Sequence, residues 1–111
     1  MGFKEIREAS IRAIEEGRIQ HEIRGHIEEK NLLLTGDITP KQVVSLLRTC
    51  RGTQYQCTRH HQIKIVDVHI FKPEVRLTSK SMKVRWYIKL YFLEPHVWFI
   101  SVHPSKKDNR S

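Results

Sequence analysis

Alternate residues between 85 and 91 are Arg85, Tyr87, Lys89 and Tyr91. On an extended strand they project to one side. Cations interleaved with phenol rings suit a polyanion that carries bases, because the cations attract phosphates and the rings stack on the bases. The competing reading is an ordinary solvated sheet face. Downstream, Ser101-Val102-His103-Pro104 ends a second apolar run. If Val97 and Phe99 are both core, strict alternation turns His103 inward. If Trp98, Ile100 and Val102 are core, His103 joins the face of Tyr87 and Lys89. Both sets are apolar, so the sequence leaves the two phases open.

The chain holds seven histidines: His21, His26, His60, His61, His69, His96 and His103. Imidazole serves proton transfer and metal binding alike. Cys50, Cys57, His60 and His61 make a Cys2His2 set on paper, yet there is no Cys-x-x-Cys pair, and adjacent histidines on a strand diverge. The segment from His21 to His26 has one residue too many for the metalloprotease helix motif, which swings the second imidazole about 100° away from the first. There is no glycine-rich phosphate loop, no nucleophile elbow and no pair of carboxylates on one element. Only Asp67 and Glu74 bring acid to the central strands, which speaks against a magnesium-dependent nuclease. The expectation is no metal and no cofactor. Cleavage of RNA without metal draws on the 2′-hydroxyl as nucleophile, a side-chain base and acid, and cations for the charge that grows on the phosphate.

The elements that would position these residues follow from period and punctuation. Phe3, Ile6, Ala9, Ala13 and Ile14 recur near a 3.6-residue period and predict an amphipathic helix from Phe3 to Glu16. Ile19 to Arg24 reads as an extended link, Gly25 to Leu33 as a second helix, and Thr35-Gly36-Asp37 as a turn. Thr39-Pro40-Lys41-Gln42 carries the marks of a helix start: a cap, a first-turn proline and a capping box. The period then changes to two. Strands are expected over Gln62 to Lys72, Lys83 to Leu93 and Val97 to His103, the last two joined as a hairpin through Glu94-Pro95, with a short strand near Gln54 to Arg59. Arg76 to Met82 reads as a polar loop. In Lys83 to Leu93, the residues Val84, Trp86, Ile88, Leu90 and Phe92 should face the helices. The expected fold is α+β, with N-terminal helices on one face of a small antiparallel sheet, as one domain over 1–104 and a disordered tail over 105–111.

The 111 residues suffice for one core, and no run approaches the roughly 20 apolar residues of a membrane span. Twenty Lys and Arg against twelve Asp and Glu give +8, distributed as −2 over residues 1–38 and +10 over 39–111. A polyanion, or an acidic protein, is therefore the expected partner of the strand-rich part. With no apolar leader at Met1 to Ile6 and two cysteines read as reduced thiols, a cytoplasmic protein is expected.

Five segments, in order over residues 43 to 103, resemble the MqsR-like toxins of the RelE-like group of small bacterial endoribonucleases. They are Val43-Val44-Ser45-Leu46-Leu47, Tyr55-Gln56, Asp67-Val68-His69 with Lys72-Pro73, Tyr87-Ile88-Lys89-Leu90, and Ile100-Ser101-Val102-His103. The front part, from Ile14 to Ile19 with His26, Asp37-Ile38 and Val43, is similar to a related group of small RelE-like domains. The resemblance implies a RelE-like fold, metal-independent cleavage of mRNA, and an antitoxin encoded by a neighbouring gene. Tyr87 falls where those toxins have a catalytic tyrosine, and His103 where they usually have a lysine. Gln56 replaces a lysine of the pattern, and Val66 or Asp67 stands where a functional glutamine belongs; Arg59, His60 and His61 are the nearby residues that could substitute. On this reading Tyr87 or His60 activates the 2′-hydroxyl and His103 protonates the leaving oxygen. Lys89, Arg85 and Arg59 hold the phosphorane-like charge, Tyr91 stacks a base, and His61 and Gln56 contribute to RNA binding. Two rivals stand beside it: a non-catalytic RNA-binding module, and a basic interaction protein for an acidic partner. Dimerisation, including within a toxin–antitoxin complex, stays open.

Overall fold

In the computed structural model, which describes residues 2–22, 31–60, 65–77 and 82–105, the amphipathic run at the start forms α1 (Phe3–Glu15). Its buried positions Ile6, Ser10, Ile11, Ala13 and Ile14 make one stripe along the helix. Ser10 fits in that stripe because its hydroxyl donates to the Ile6 carbonyl at 2.8 Å. The helix predicted over 25–33 lies largely outside the described residues. The helical turn that is described, α2 (Leu32–Thr35), begins later, where Asn31 Oδ1 accepts from the Leu34 N–H. It ends on Gly36 in the left-handed conformation, φ +86°, within the expected turn. The next helix, α3 (Pro40–Thr49), starts as its sequence signals require: the Thr39 hydroxyl accepts from the Gln42 N–H, and Gln42 Oε1 accepts from the Thr39 N–H. Its Val43, Val44, Leu46 and Leu47 are buried.

Six strands lie among the described residues, β1 (Ile19–His21) ahead of the change of period and, after it, β2 (Tyr55–Arg59), β3 (Asp67–Phe71), β4 (Glu74–Leu77), β5 (Met82–Leu93) and β6 (His96–Pro104). They form one sheet in the order β1-β6-β5-β3-β2, with β4 beside the first half of β5. Two expectations are corrected. The segment read as a link contains β1, which pairs parallel to β6, so the sheet is mixed rather than antiparallel. Of the polar loop expected over 76–82, residues 76 and 77 belong to β4 and Met82 to β5, while 78–81 lie outside the described residues. β3 and β4 keep a single register on β5, from Val68 opposite Tyr91 to Glu74 opposite Arg85. They are divided only at Lys72-Pro73, where proline has no N–H for the ladder. The expected hairpin joins β5 to β6 through Glu94-Pro95.

The helices pack on one face of this sheet. Leu47, Val43, Phe71, Ile88, Leu90, Val97, Phe99 and Val102 are all wholly buried there, with Trp86 and Phe92 at the margin. This is the expected α+β arrangement. No helix among the described residues is long and apolar enough to cross a membrane. Of the tail, Ser105 is held by its N–H to the Arg85 carbonyl, and residues 106–111 lie outside the described residues.

Two imidazoles are built into the helix side. His69 Nδ1 lies 2.7 Å from the Tyr55 hydroxyl, and burial lowers its pKa in spite of the Asp67 carboxylate close by. His21 packs on Phe99 and accepts from Asn31 Nδ2, and burial lowers its pKa too. Burial also pushes the Tyr55 phenol up to about 12, so it stays a proton donor. A histidine with a depressed folded pKa binds more protons unfolded than folded as pH falls below its ordinary value of 6.5. Stability is therefore complete above that pH and declines as pH falls from it toward the lowered folded value. Urea midpoints measured from pH 7 to pH 5 should fall, and H21Q and H69Q should each make that decline shallower than in the unmodified chain.

Candidate functional site

The alternation of β5 divides its side chains as predicted, save that Val84, also expected with the core, is half-buried outside it. Trp86, Ile88, Leu90 and Phe92 join the core beneath the helices, while Tyr87 and Tyr91 belong to a second apolar cluster with Val66, Val68, Ile70, Trp98 and Ile100 on the opposite face. Lys89 stands opposite Ile70, and Arg85 opposite Glu74, on that same second face.

The two phases left open for β6 are both realised, one on each side of a bulge. Leu90 pairs with Phe99 and Lys89 with Ser101, so Ile100 is the extra residue. Before it Val97 and Phe99 enter the core; after it Val102 does, and His103 emerges on the second face. There His103 stacks on Tyr87, its cross-strand partner, with ring centres 5.3 Å apart and planes 26° apart. The Pro104 carbonyl lies 2.9 Å from His103 Nδ1. A carbonyl only accepts, so Nδ1 carries the hydrogen and the neutral ring keeps its lone pair on Nε2. Burial raises the pKa of Tyr87, which holds the phenol protonated.

The registers lay the second face out in rows across the strands. The single register of β3 and β4 on β5 puts Lys72 opposite Tyr87, giving a row Lys72, Tyr87, His103. Above it run Gln56, Ile70, Lys89 and Ser101, and above those Thr58, Val68, Tyr91 and Trp98. Lys72 was missed as a site residue in the sequence; the signal was there, since 68, 70 and 72 continue one side of the strand up to the proline.

At the far end the face is closed by polar contacts. Glu22 Oε1 accepts from the Tyr91 hydroxyl at 2.7 Å and from His60 Nε2 at 2.9 Å. Glu22 follows β1 and His60 follows β2, so residues from opposite edges of the sheet meet over its centre. The His60 ring stands edge-on to Tyr91 at 4.9 Å, and Tyr91 stacks on Trp98 at 6.1 Å. His60 is 3% exposed and Tyr91 2%.

The predicted residues thus separate. Tyr87, His103 and Lys89 come together with partial exposure, and Arg85 lies beside them in an ion pair with Glu74 at 2.8 Å. His60 and Tyr91 are buried together and present no ring to solvent. Gln56 is exposed in the row of Lys89, two strands away. Arg59 alternates onto the helix side with Cys57 and pairs with Asp67 at 3.6 Å. His61 lies outside the described residues. Cys50 is buried at the end of α3 and Cys57 is exposed on β2, and among the described residues no three His, Cys, Asp or Glu side chains gather as metal ligands do. What this half-buried row and Lys89 in the next one offer chemically is a protonated phenol, an imidazole whose Nε2 carries the lone pair, and two ammonium groups.

No protein-family model, curated protein or solved structure matches this chain.

The buried end of the face yields a stability prediction. Glu22→Ala leaves the His60 N–H and Tyr91 O–H without this acceptor and should cost about 1–3 kcal/mol in urea unfolding. Glu22→Gln, which retains an accepting oxygen, should cost less.

Proposed function

We propose that this chain binds RNA across the second face of its sheet and cleaves it without metal, acting in the cytoplasm as an mRNA-cleaving toxin of a toxin–antitoxin pair. The observation that carries the reading is the row Lys72, Tyr87, His103, with Lys89 in the next row. The toxin assignment rests on the resemblance of residues 43–103 to MqsR-like sequences. The antitoxin is the acidic partner that a basic face of this kind would receive.

The geometry redistributes the roles expected from the sequence. His103 takes the base role, because its Nδ1–H is committed to the Pro104 carbonyl and Nε2 can accept the 2′-hydroxyl proton. Tyr87, kept protonated by burial, donates toward the leaving 5′-oxygen. Its stacking on His103 keeps donor and acceptor side by side. Lys72 in the pair's own row and Lys89 in the next balance the charge that builds on the phosphate. As the 2′-oxygen bonds to phosphorus, the bond to the 5′-oxygen breaks, leaving a 2′,3′-cyclic phosphate and a 5′-hydroxyl.

The non-catalytic RNA-binding module is the second reading. Its specific support is the burial of His60 and Tyr91, which withdraws two of the expected chemical groups from the surface.

Purified chain incubated with a defined RNA in EDTA should generate 2′,3′-cyclic phosphate ends. H103A and Y87F should each slow this by about 10²-fold or more. K72A should weaken binding and reduce its dependence on salt by about one counterion. Salt-sensitive binding with no product, in the unmodified chain as in the variants, would replace the enzyme by the binding module. Expression should arrest growth, with relief by the product of an adjacent gene.

A further inference from the structure

The strand order ends at β2, so among the described residues no strand lies along its outer edge. The Lys72 N–H donates to the Gln54 carbonyl and the His60 N–H to the Val66 carbonyl. With the register of β2 on β3, these bonds put the inward-facing main-chain groups at residues 54, 56, 58 and 60. The alternate residues turn theirs outward. The Tyr55 N–H folds back to the Gly52 carbonyl, and Cys57, at the centre of the strand, directs both its N–H and its C=O to the outer edge. β2 contains no proline, keeps one register throughout, and balances the Arg59 charge with Asp67. Among the described residues, neither a proline nor a bulge guards this edge against pairing.

We infer that β2 pairs antiparallel with β2 of a second copy, with Cys57 on the two-fold axis, and that oxidation joins the two Cys57 thiols. The five residues Tyr55-Gln56-Cys57-Thr58-Arg59 complement themselves about that axis. Tyr55 meets Arg59 of the second copy, ring against guanidinium, and Gln56 meets Thr58 of the second copy, amide against hydroxyl. The two Cys57 residues form a hydrogen-bonded pair, whose Cα separation of about 5.5 Å falls within the span of a disulfide, and closing the link draws the Cβ atoms together from the wide end of their about 4.5–5.5 Å cross-strand spacing toward about 4 Å. Cys57 is exposed, whereas Cys50 is buried. With glutathione disulfide as oxidant, one Cys57 thiolate attacks a glutathione sulfur and releases one glutathione thiolate. The Cys57 thiolate of the second copy then attacks the mixed disulfide and releases the other. Two protein thiols are oxidised, one glutathione disulfide is reduced to two thiols, and these take up the two protons. The axis stands perpendicular to the sheet, so both second faces look the same way. The pairing does not depend on the RNA reading.

The test treats the full chain with glutathione disulfide and follows dimer on non-reducing gels, with peptide mass analysis of the link. A Cys57–Cys57 dimer is expected, and C57S should give none. Two variants probe the register, since position 56 opposes position 58 across the axis. Q56K/T58E sets unlike charges against each other and Q56K/T58K sets like charges. With rates normalised to iodoacetamide alkylation of Cys57 in each variant, the first should cross-link roughly tenfold faster than the second. Glutathionylated monomer as the sole product, or equal normalised rates in the two variants, would overturn the inference.

Discussion

A single extra residue, Ile100, reconciles the two jobs of β6. A strand with strict alternation cannot bury Val97, Phe99 and Val102 and also send His103 outward, because positions 99 and 102 differ in parity. The bulge sacrifices one ladder position and recovers the burial of Val102, worth about 1.5–3 kcal/mol for a side chain of this kind. It acts on the neighbouring strand as well. β1 follows β6 from Val97 to Phe99 and leaves it where the bulge begins; Asn31 rejoins it beyond, opposite Val102. The hydrogen bond between Asn31 and His21 ties the point of departure to the point of return. One irregularity thus sets the core, the edge of the sheet and the position of His103.

The second face is divided by the same strands that build it. Tyr87 and Tyr91 sit four residues apart on one side of β5, yet their surroundings make them different tools. Tyr91 lies between Trp98 and His60, its hydroxyl given to Glu22, and it forms the floor of a buried polar contact that spans the sheet. A half-buried carboxylate needs such donors, and Glu22 accepts from both Tyr91 and His60. Tyr87 lies where that closure ends, beside Lys72 and under His103. The apolar half of the face packs the strands together, and the polar half carries Lys72, Tyr87, Lys89 and His103 with partial exposure.

How far the sequence was legible follows from which signals are local. The capping box at Thr39 and Gln42, the left-handed Gly36 and the division of β5 between two faces all depend on a few neighbouring residues, and all could be read. β1 could not, because three residues at a sheet edge carry no period and gain their strand character from β6. The short β4 likewise depends on β5 continuing past Pro73. The phase of β6 was illegible for a different reason: Val97, Phe99 and Val102 compete with Trp98 and Ile100 on equal hydrophobicity, and only tertiary packing selects a bulge. For the site, Tyr87, Lys89 and His103 were legible from residue type. The burial of His60 and Tyr91 was not, since it depends on Glu22, a residue from the acidic front segment that nothing in the sequence links to the strands.

The histidines show why type alone cannot assign a proton-transfer role. His21 receives the Asn31 amide, whose orientation is fixed because its oxygen accepts from the Leu34 N–H; the remaining hydrogen of the neutral ring therefore lies on Nε2. His60 directs Nε2 at the Glu22 carboxylate, which can only accept, and the ring is shut away behind Tyr91. His69 is engaged by Tyr55 on the helix side. His96 sits at the hairpin turn, opposite Leu93. His103 alone among the described histidines combines a tautomer fixed by the main chain, a stacked phenol and partial exposure in a row that also holds a lysine. The proton-transfer role proposed for His103 rests on the Pro104 carbonyl and the Ile100 bulge, two main-chain features, as much as on the imidazole itself.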